Sequence, residues 1–324
     1  VLAIITSSLT LISATTWRKE CSRKITTHHQ ISTTLNTVAE NLSKLMSKLS
    51  KRGPHRVMVG NLDYVGLPGK LYTPSEGKQL PAIAFGHDWL KDVKAYHAAL
   101  RHFASWGIVV VAPNTEKNFN PNHRGFASDL ETCLQIATGV KLGNGNVSVA
   151  PGRLGLVGHG MGGGAAVLAA AGRPNVGAVV AAYPSSVTPS AEAAAASVTA
   201  PGLILGTGEY AVLDFGNPAA IAAKWKGEVA YREITGADQS ALAHDPVAKL
   251  LTGQGTKANV REKVCGLITG FLLATLGSDK KYQGFTAADA YAKNPVPFRH
   301  TADVVSFTGS KLLEKADFAQ TSST

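Results

Sequence analysis

Leu154-Gly-Leu-Val-Gly158-His159-Gly160-Met161-Gly162-Gly163-Gly164 is the stretch on which the reading of this chain turns. The apolar run Leu154–Val157 predicts a buried strand, and the glycines after it predict a sharp turn. The small residues at 163–171 predict a helix packed close behind. Two mechanistic motifs overlap on this turn. Gly158, Gly160 and Gly163 satisfy G-x-G-x-x-G, whose amides and helix N-terminus can hold a pyrophosphate. Against nucleotide binding, several strands precede this turn, and the next strand ends in Tyr183-Pro184 with no Asp or Glu for a ribose. The second motif is the nucleophile elbow G-x-S-x-G, with Gly158 and Gly162 as its flanking glycines. In that reading the nucleophile position is Gly160, which carries no hydroxyl.

Outward from the turn, strands and helices alternate. Short strands are predicted at Arg56–Val59, Lys70–Tyr72, Ala82–Phe85, Ile108–Ala112, Val176–Ala182, Leu203–Leu205 and Glu228–Ile234. Helices are predicted over 93–106, 125–139, 163–171, 217–226 and 259–276, and the run Ala191–Ala196 reads as a loop or short helix. Continuous apolar strands separated by helices indicate an α/β fold, with a mostly parallel central sheet covered on both faces.

The first 53 residues read as a basic extension. Residues 1–60 hold nine Lys/Arg against Glu20 and Glu40, so most of the formal charge of +10 sits there and the body is nearly neutral. That distribution argues against a nucleic-acid-binding body. Val1–Ala14 is apolar, but the basic residues follow it, which is the wrong order for a secretion signal. A cytoplasmic location is expected, with attachment to the cell envelope as the alternative. Leu35, Val38, Leu42, Leu45, Met46 and Leu49 follow helical spacing. The stretch 31–52 is therefore expected to form a helix docked on the body, or one that touches a membrane surface or partner. Residues 54–276 form the expected main domain, and 277–324 a tail packing on it or trailing it. At 44% apolar and 17% charged, the chain can bury a full core and is not a disordered protein. Cys21, Cys133 and Cys265 are too far apart for a CxxC metal site, and the His28-His29 pair has no metal-ligand spacing. Neither metal nor cofactor is expected.

Three blocks carry a resemblance: Ala84-Phe-Gly-His-Asp-Trp89, Phe103-Ala-Ser-Trp-Gly-Ile-Val-Val-Val-Ala-Pro113 and Leu156-Val-Gly-His-Gly-Met-Gly-Gly163. In order and spacing, residues from about 54 to 276 resemble the α/β-hydrolase superfamily. Within it they are similar to the dienelactone hydrolase, chlorophyllase-like and cutinase-type polyester-hydrolase group, especially its actinobacterial members. The resemblance implies an α/β-hydrolase fold, to which the helical spacing before residue 53 adds an N-terminal helical extension. It also implies an oxyanion-hole loop at Gly86, His87, Asp88 and Trp89, with backbone donors near Asp88 or Trp89 and at Met161. His159 would sit in the elbow and pack on its neighbours.

The resemblance further places the triad acid after Leu205 and the histidine after Ile234. Tyr210 stands at about the acid position, with Glu209 and Asp214 as displaced candidates. Gln239 stands at about the histidine position, with His244 five residues further on. His87-Asp88 could activate a water, and Ser185 and Ser186 are expected to cap a loop. The leading expectation is a hydrolase frame without serine chemistry, since a glycine forms no acyl-enzyme. Such a protein would bind or scaffold an acyl- or ester-like ligand or a protein partner. The alternatives are an active carboxylic-ester or lactone hydrolase with a rearranged site, and nucleotide binding through the glycine turn.

Overall fold

In a computed structural model of the chain, residues 42–207, 216–244, 257–288 and 304–321 are described. From residue 43 onward they belong to one compact unit. A helix, α1, covers 42–49 and is followed by β1 (Val57–Asn61), β2 (Gly69–Pro74) and β3 (Gly77–Gly86). A 3-10 turn at Val93–Tyr96 leads into α2 (His97–Ser105), then β4 (Val109–Pro113), α3 (His123–Gly139), β5 (Val147–His159) and α4 (Met161–Ala170). Next come β6 (Ala178–Ala182), α5 (Ala191–Ala195), β7 (Gly202–Gly206), α6 (Pro218–Ala223) and β8 (Val229–Ile234). The described chain closes with α7 (Ala258–Thr275), β9 (Val304–Phe307) and α8 (Ser310–Thr321).

The strands form one sheet in the order β1-β2-β4-β3-β5-β6-β7-β8-β9. From β4 through β8 all pairings are parallel, and antiparallel pairs occur only towards the two edges. The interior strands are the apolar runs of the sequence, with every residue of β4, β6 and β7 buried. Helices cover both faces, as a parallel sheet requires. Helices α3, α4, α5 and α6 pack on one face through Phe126, Leu130, Ala165, Val167 and Ile221. Helices α2 and α7 lie on the other, where α7 buries Val264, Leu267, Ile268, Phe271 and Leu272. Each of these large side chains stabilises the fold by about 1.5–3 kcal/mol. This is the α/β-hydrolase arrangement expected from the sequence.

Register decides where a site can form. Gly86 of β3 lies beside Gly158 of β5, and His159 lies beside Ala182 of β6. Leu205 of β7 faces Arg232 of β8. The C-terminal ends of these strands therefore open at one end of the sheet, where ligands bind in open α/β sheets.

The two ends of the described chain add detail to the sequence expectation. Residues 304–307 of the predicted tail join the sheet as β9, pairing with β8 from Tyr231↔Phe307 to Ile234↔Val304. β9 and α8 are held by Lys315, whose Nζ bonds Glu233 Oε1 at 2.5 Å and lies over the Phe307 ring. In α1, Met46 and Leu49 are buried, and the turn after the helix is tied to α2 by Gly53 N–H donating to Ser105 Oγ at 2.8 Å. The apolar face of that part of the helix is thus covered by the body. The earlier part of the expected helix, the apolar stretch at 1–14 and His28-His29 lie outside the described residues. Among the described residues no helix is long and apolar enough to cross a membrane, and no group of three His, Cys, Asp or Glu could hold a metal ion. Cys133 and Cys265 are buried.

Candidate functional site

The turn after β5 is set by close backbone contact. A Cβ on Gly158 would overlap the carbonyl of Gly162, and one on Gly162 would overlap the backbone of Gly86. Only hydrogens fit at these two positions, so β5 can hand over to α4 in one tight step while β3 lies alongside. Gly160 is the pivot, with φ 55° and ψ −122°. That region is strained for any residue bearing a Cβ. The Gly160 N–H donates to Ala182 O at 3.0 Å, and its carbonyl accepts from Ser185 N–H at 3.0 Å and from Gly163 N–H at 2.9 Å. The predicted strand–turn–helix is present, with Ser185 held beside it through its backbone.

Asp88, on the loop after β3, meets this turn. Its Oδ1 accepts two backbone hydrogen bonds, from Met161 N–H at 2.9 Å and from Trp89 N–H at 2.8 Å. Met161 is the first residue of α4, whose N-terminus has no side-chain cap of its own. The carboxylate therefore satisfies an otherwise unpaired amide and sits at the positive end of the helix dipole. It also fills the space over the pivot. A Cβ on Gly160 would overlap Asp88 Oδ1 and Cγ and lie 2.7 Å from Oδ2.

Behind the turn lies a small polar network. Tyr96, fully buried, accepts Asp88 N–H on its hydroxyl at 3.0 Å and faces His159 Nδ1 at 2.9 Å. Both contacts are satisfied when the hydroxyl donates to Nδ1, which makes His159 a neutral ring. Burial supports this by holding the His159 pKa below the usual value, against the pull of Asp88, the Gln239 backbone and Asp238. The imidazole packs edge-on against Tyr96 and Tyr183, at centroid distances of 5.5 and 6.0 Å. Burial likewise pushes the Tyr96 hydroxyl well above its usual pKa.

The other candidates fall in different places. Gln239 reaches the same end of the sheet, where its Nε2 donates to Tyr183 O at 3.1 Å. His87 is buried with both ring nitrogens against carbonyls, Nδ1 at 2.8 Å from Asp88 O and Nε2 at 2.7 Å from Thr115 O. Burial lowers its pKa while the two carbonyls oppose the shift. His244 is exposed, with its backbone N–H on Ala95 O at 2.7 Å. Glu209, Tyr210 and Asp214 lie outside the described residues. The residues that the sequence reading missed are Tyr96 and Tyr183, buried partners of His159, and Phe119, whose exposed ring meets Trp89 at 6.2 Å. Tyr96 lay within a predicted amphipathic helix, where nothing marked its hydroxyl as turned toward the loop.

No curated protein matches the chain. A family model described as PET hydrolase-like matches residues 46–266, a span that takes in the whole turn, the Asp88 loop and most of the sheet. With its nine-stranded α/β sheet and the tight turn after β5, the chain belongs to the PETase family of α/β hydrolases.

Proposed function

We propose that this PETase-family chain performs no serine acyl transfer and acts as a binding or scaffolding protein on a hydrolase frame. Its ligand would be acyl- or ester-like, or its partner a protein. The observation that carries this reading is the engagement of one Asp88 oxygen by both Met161 N–H and Trp89 N–H, directly over Gly160. Those two amides are the pair expected to stabilise an acyl oxyanion. Donors of that kind contribute about 2.7–4 kcal/mol each to acyl-transfer catalysis. With a carboxylate already bonded to them, a substrate carbonyl has no free donors to use. Gly160 offers no nucleophile, and Gln239 offers an amide where a triad needs a base.

The rearranged-hydrolase alternative draws no support from His87 or His244. The first has both nitrogens facing carbonyls, and the second is exposed on a segment tied to Ala95. Nucleotide binding is also weakened, because the amides of Met161, Gly163 and Gly164 already donate within the protein.

The test is incubation of the purified chain with a fluorophosphonate probe and with p-nitrophenyl esters. The expected result is no labelled serine and no turnover above buffer. Stoichiometric labelling of a serine would refute the proposal.

A further inference from the structure

Asp88 stands where the turn presents its pivot, and its two oxygens differ. Oδ1 is fixed by Met161 N–H and Trp89 N–H, whereas Oδ2 accepts none of the hydrogen bonds among the described residues. The residue as a whole is partly exposed. Carboxylates are established covalent nucleophiles. Here one oxygen is anchored and the other left open, which holds the attacking atom in a fixed orientation before any ligand arrives.

The anchoring also selects the electrophile. Attack on an acyl carbon develops an oxyanion that needs the two amides, and Oδ1 already holds them. The adduct would be a mixed anhydride, which expels the carboxylate in preference to an alkoxide and reverts. Displacement at a saturated carbon makes neither demand, since its negative charge develops on the departing group, away from those amides. Large apolar side chains are exposed beside Asp88. Trp89, Leu90 and Phe119 are 43%, 40% and 81% exposed, and the Trp89 and Phe119 rings meet edge to face. Such side chains suit an uncharged alkyl or aryl chain.

We propose that Asp88 accepts an alkyl group from a neutral, apolar alkyl electrophile, either a terminal epoxide or a primary alkyl halide, in a single-turnover reaction. A lone pair on Oδ2 forms the new O–C bond, and the bond from that carbon to its leaving group breaks with its electron pair. A halide leaves as the anion, and an epoxide oxygen leaves as an alkoxide that takes a proton from water. Oδ1 becomes the carbonyl oxygen of the ester and keeps its two amide partners. Hydrolysis of that ester needs a base beside it. Among the described residues, Gln239 is an amide and His159 Nδ1 is taken up by the Tyr96 hydroxyl, so neither supplies that base and the ester accumulates. The inference rests on the reading that no serine nucleophile works at this turn.

The full chain is incubated with phenyl glycidyl ether and, separately, with 1-bromohexane, and followed by intact-mass spectrometry and peptide mapping. The expected result is one adduct per chain on Asp88, formed about tenfold or more faster than on the exposed Asp63. It is released by hydroxylamine, as an ester is and a thioether or alkylated imidazole is not. Asp88→Asn abolishes it, and Asp63→Asn leaves it unchanged. Mapping on the native chain localises the adduct even if the Asp88→Asn chain fails to fold. No adduct on Asp88, or labelling of Asp88 no faster than Asp63, overturns the inference. Fluorophosphonate labelling of a serine overturns the reading beneath it, so the two failures are distinguished.

Discussion

The turn after β5 and the loop after β8 lie at the same end of the sheet and are built on different principles. The turn takes its shape from close-packed backbone. Gly158, Gly162 and Gly86 pack so closely that no side chain fits between them, and the pivot at Gly160 is bonded on both its N–H and its carbonyl. The loop after β8 is held by polar side chains. Gln239 bonds the Tyr183 carbonyl, and Asp238 Oδ1 accepts from Ser240 N–H and Oγ. Close-packed backbone tolerates almost no change, whereas a polar loop tolerates many. The machinery that a hydrolase frame needs for its shape is therefore set apart from the residues it needs for chemistry, and one can be present without the other.

The largest expected effect lies in the turn. Gly158→Val or Gly162→Val should cost more than about 4 kcal/mol or prevent folding, because the clash is with backbone that cannot give way. Gln239→Ala in the loop should cost no more than about 1 kcal/mol, the worth of one partly exposed hydrogen bond. Urea denaturation of the variants measures the contrast, and equal losses would break it.

Next in size is the coupling between pivot and carboxylate. Gly160→Ser should destabilise by about 1–3 kcal/mol through strain at a positive φ. Adding Asp88→Gly should relieve the overlap and recover part of that loss, giving a favourable interaction energy of about 0.5–3 kcal/mol in a double-mutant cycle. Gly160→Ser alone should show no esterase activity above background, since among the described residues Gln239 and the neutral, buried His159 offer its hydroxyl no activating base. Substantial turnover by that variant would mean that a working histidine and acid stand near the turn.

Acid should weaken the protein through its buried histidines. Burial holds His102 down to about 4 and also lowers His159. The unfolded chain protonates these rings near pH 6.5, while the folded chain keeps them neutral. The unfolded state thus binds more protons as the pH falls below about 6.5, and stability is lost progressively toward pH 4. Thermal unfolding midpoints across that range should fall, and His102→Gln should flatten the slope.

The smallest effect belongs to a surface pair. Asp92 is held down to about 2. Burial opposes that shift, and it is outweighed by bonds from Lys94 N–H, Asn114 and Lys117. Lys117→Ala should nevertheless cost less than about 1 kcal/mol, because the pair at 3.1 Å is well exposed to solvent.

Much of the frame was legible in the sequence for a physical reason. Fully buried strands such as β4, β6 and β7 are unbroken apolar runs, and the glycines at 158, 160 and 162 are demanded by local backbone geometry. β9 was not legible, since its Val-Val-Ser-Phe run is only four residues long and exists through pairing with β8 and the Lys315 contact. Nor was the first part of β5, where Ser148, Gly152 and Arg153 break the apolar pattern. At the site, the loop at 86–89 and Met161 were readable as neighbours of the turn. The role of Asp88 was not, because its bond to Met161 spans 73 positions and only the parallel register of β3 on β5 brings the two together.

The central contact of the site is the Asp88 carboxylate on the amides of Met161 and Trp89. Proton–nitrogen correlation spectra of the labelled chain and of Asp88→Ala, which removes the accepting oxygen, test this directly. Both amide resonances should move in the variant while amides remote from the turn stay in place. A Met161 or Trp89 amide left unmoved by Asp88→Ala would contradict it.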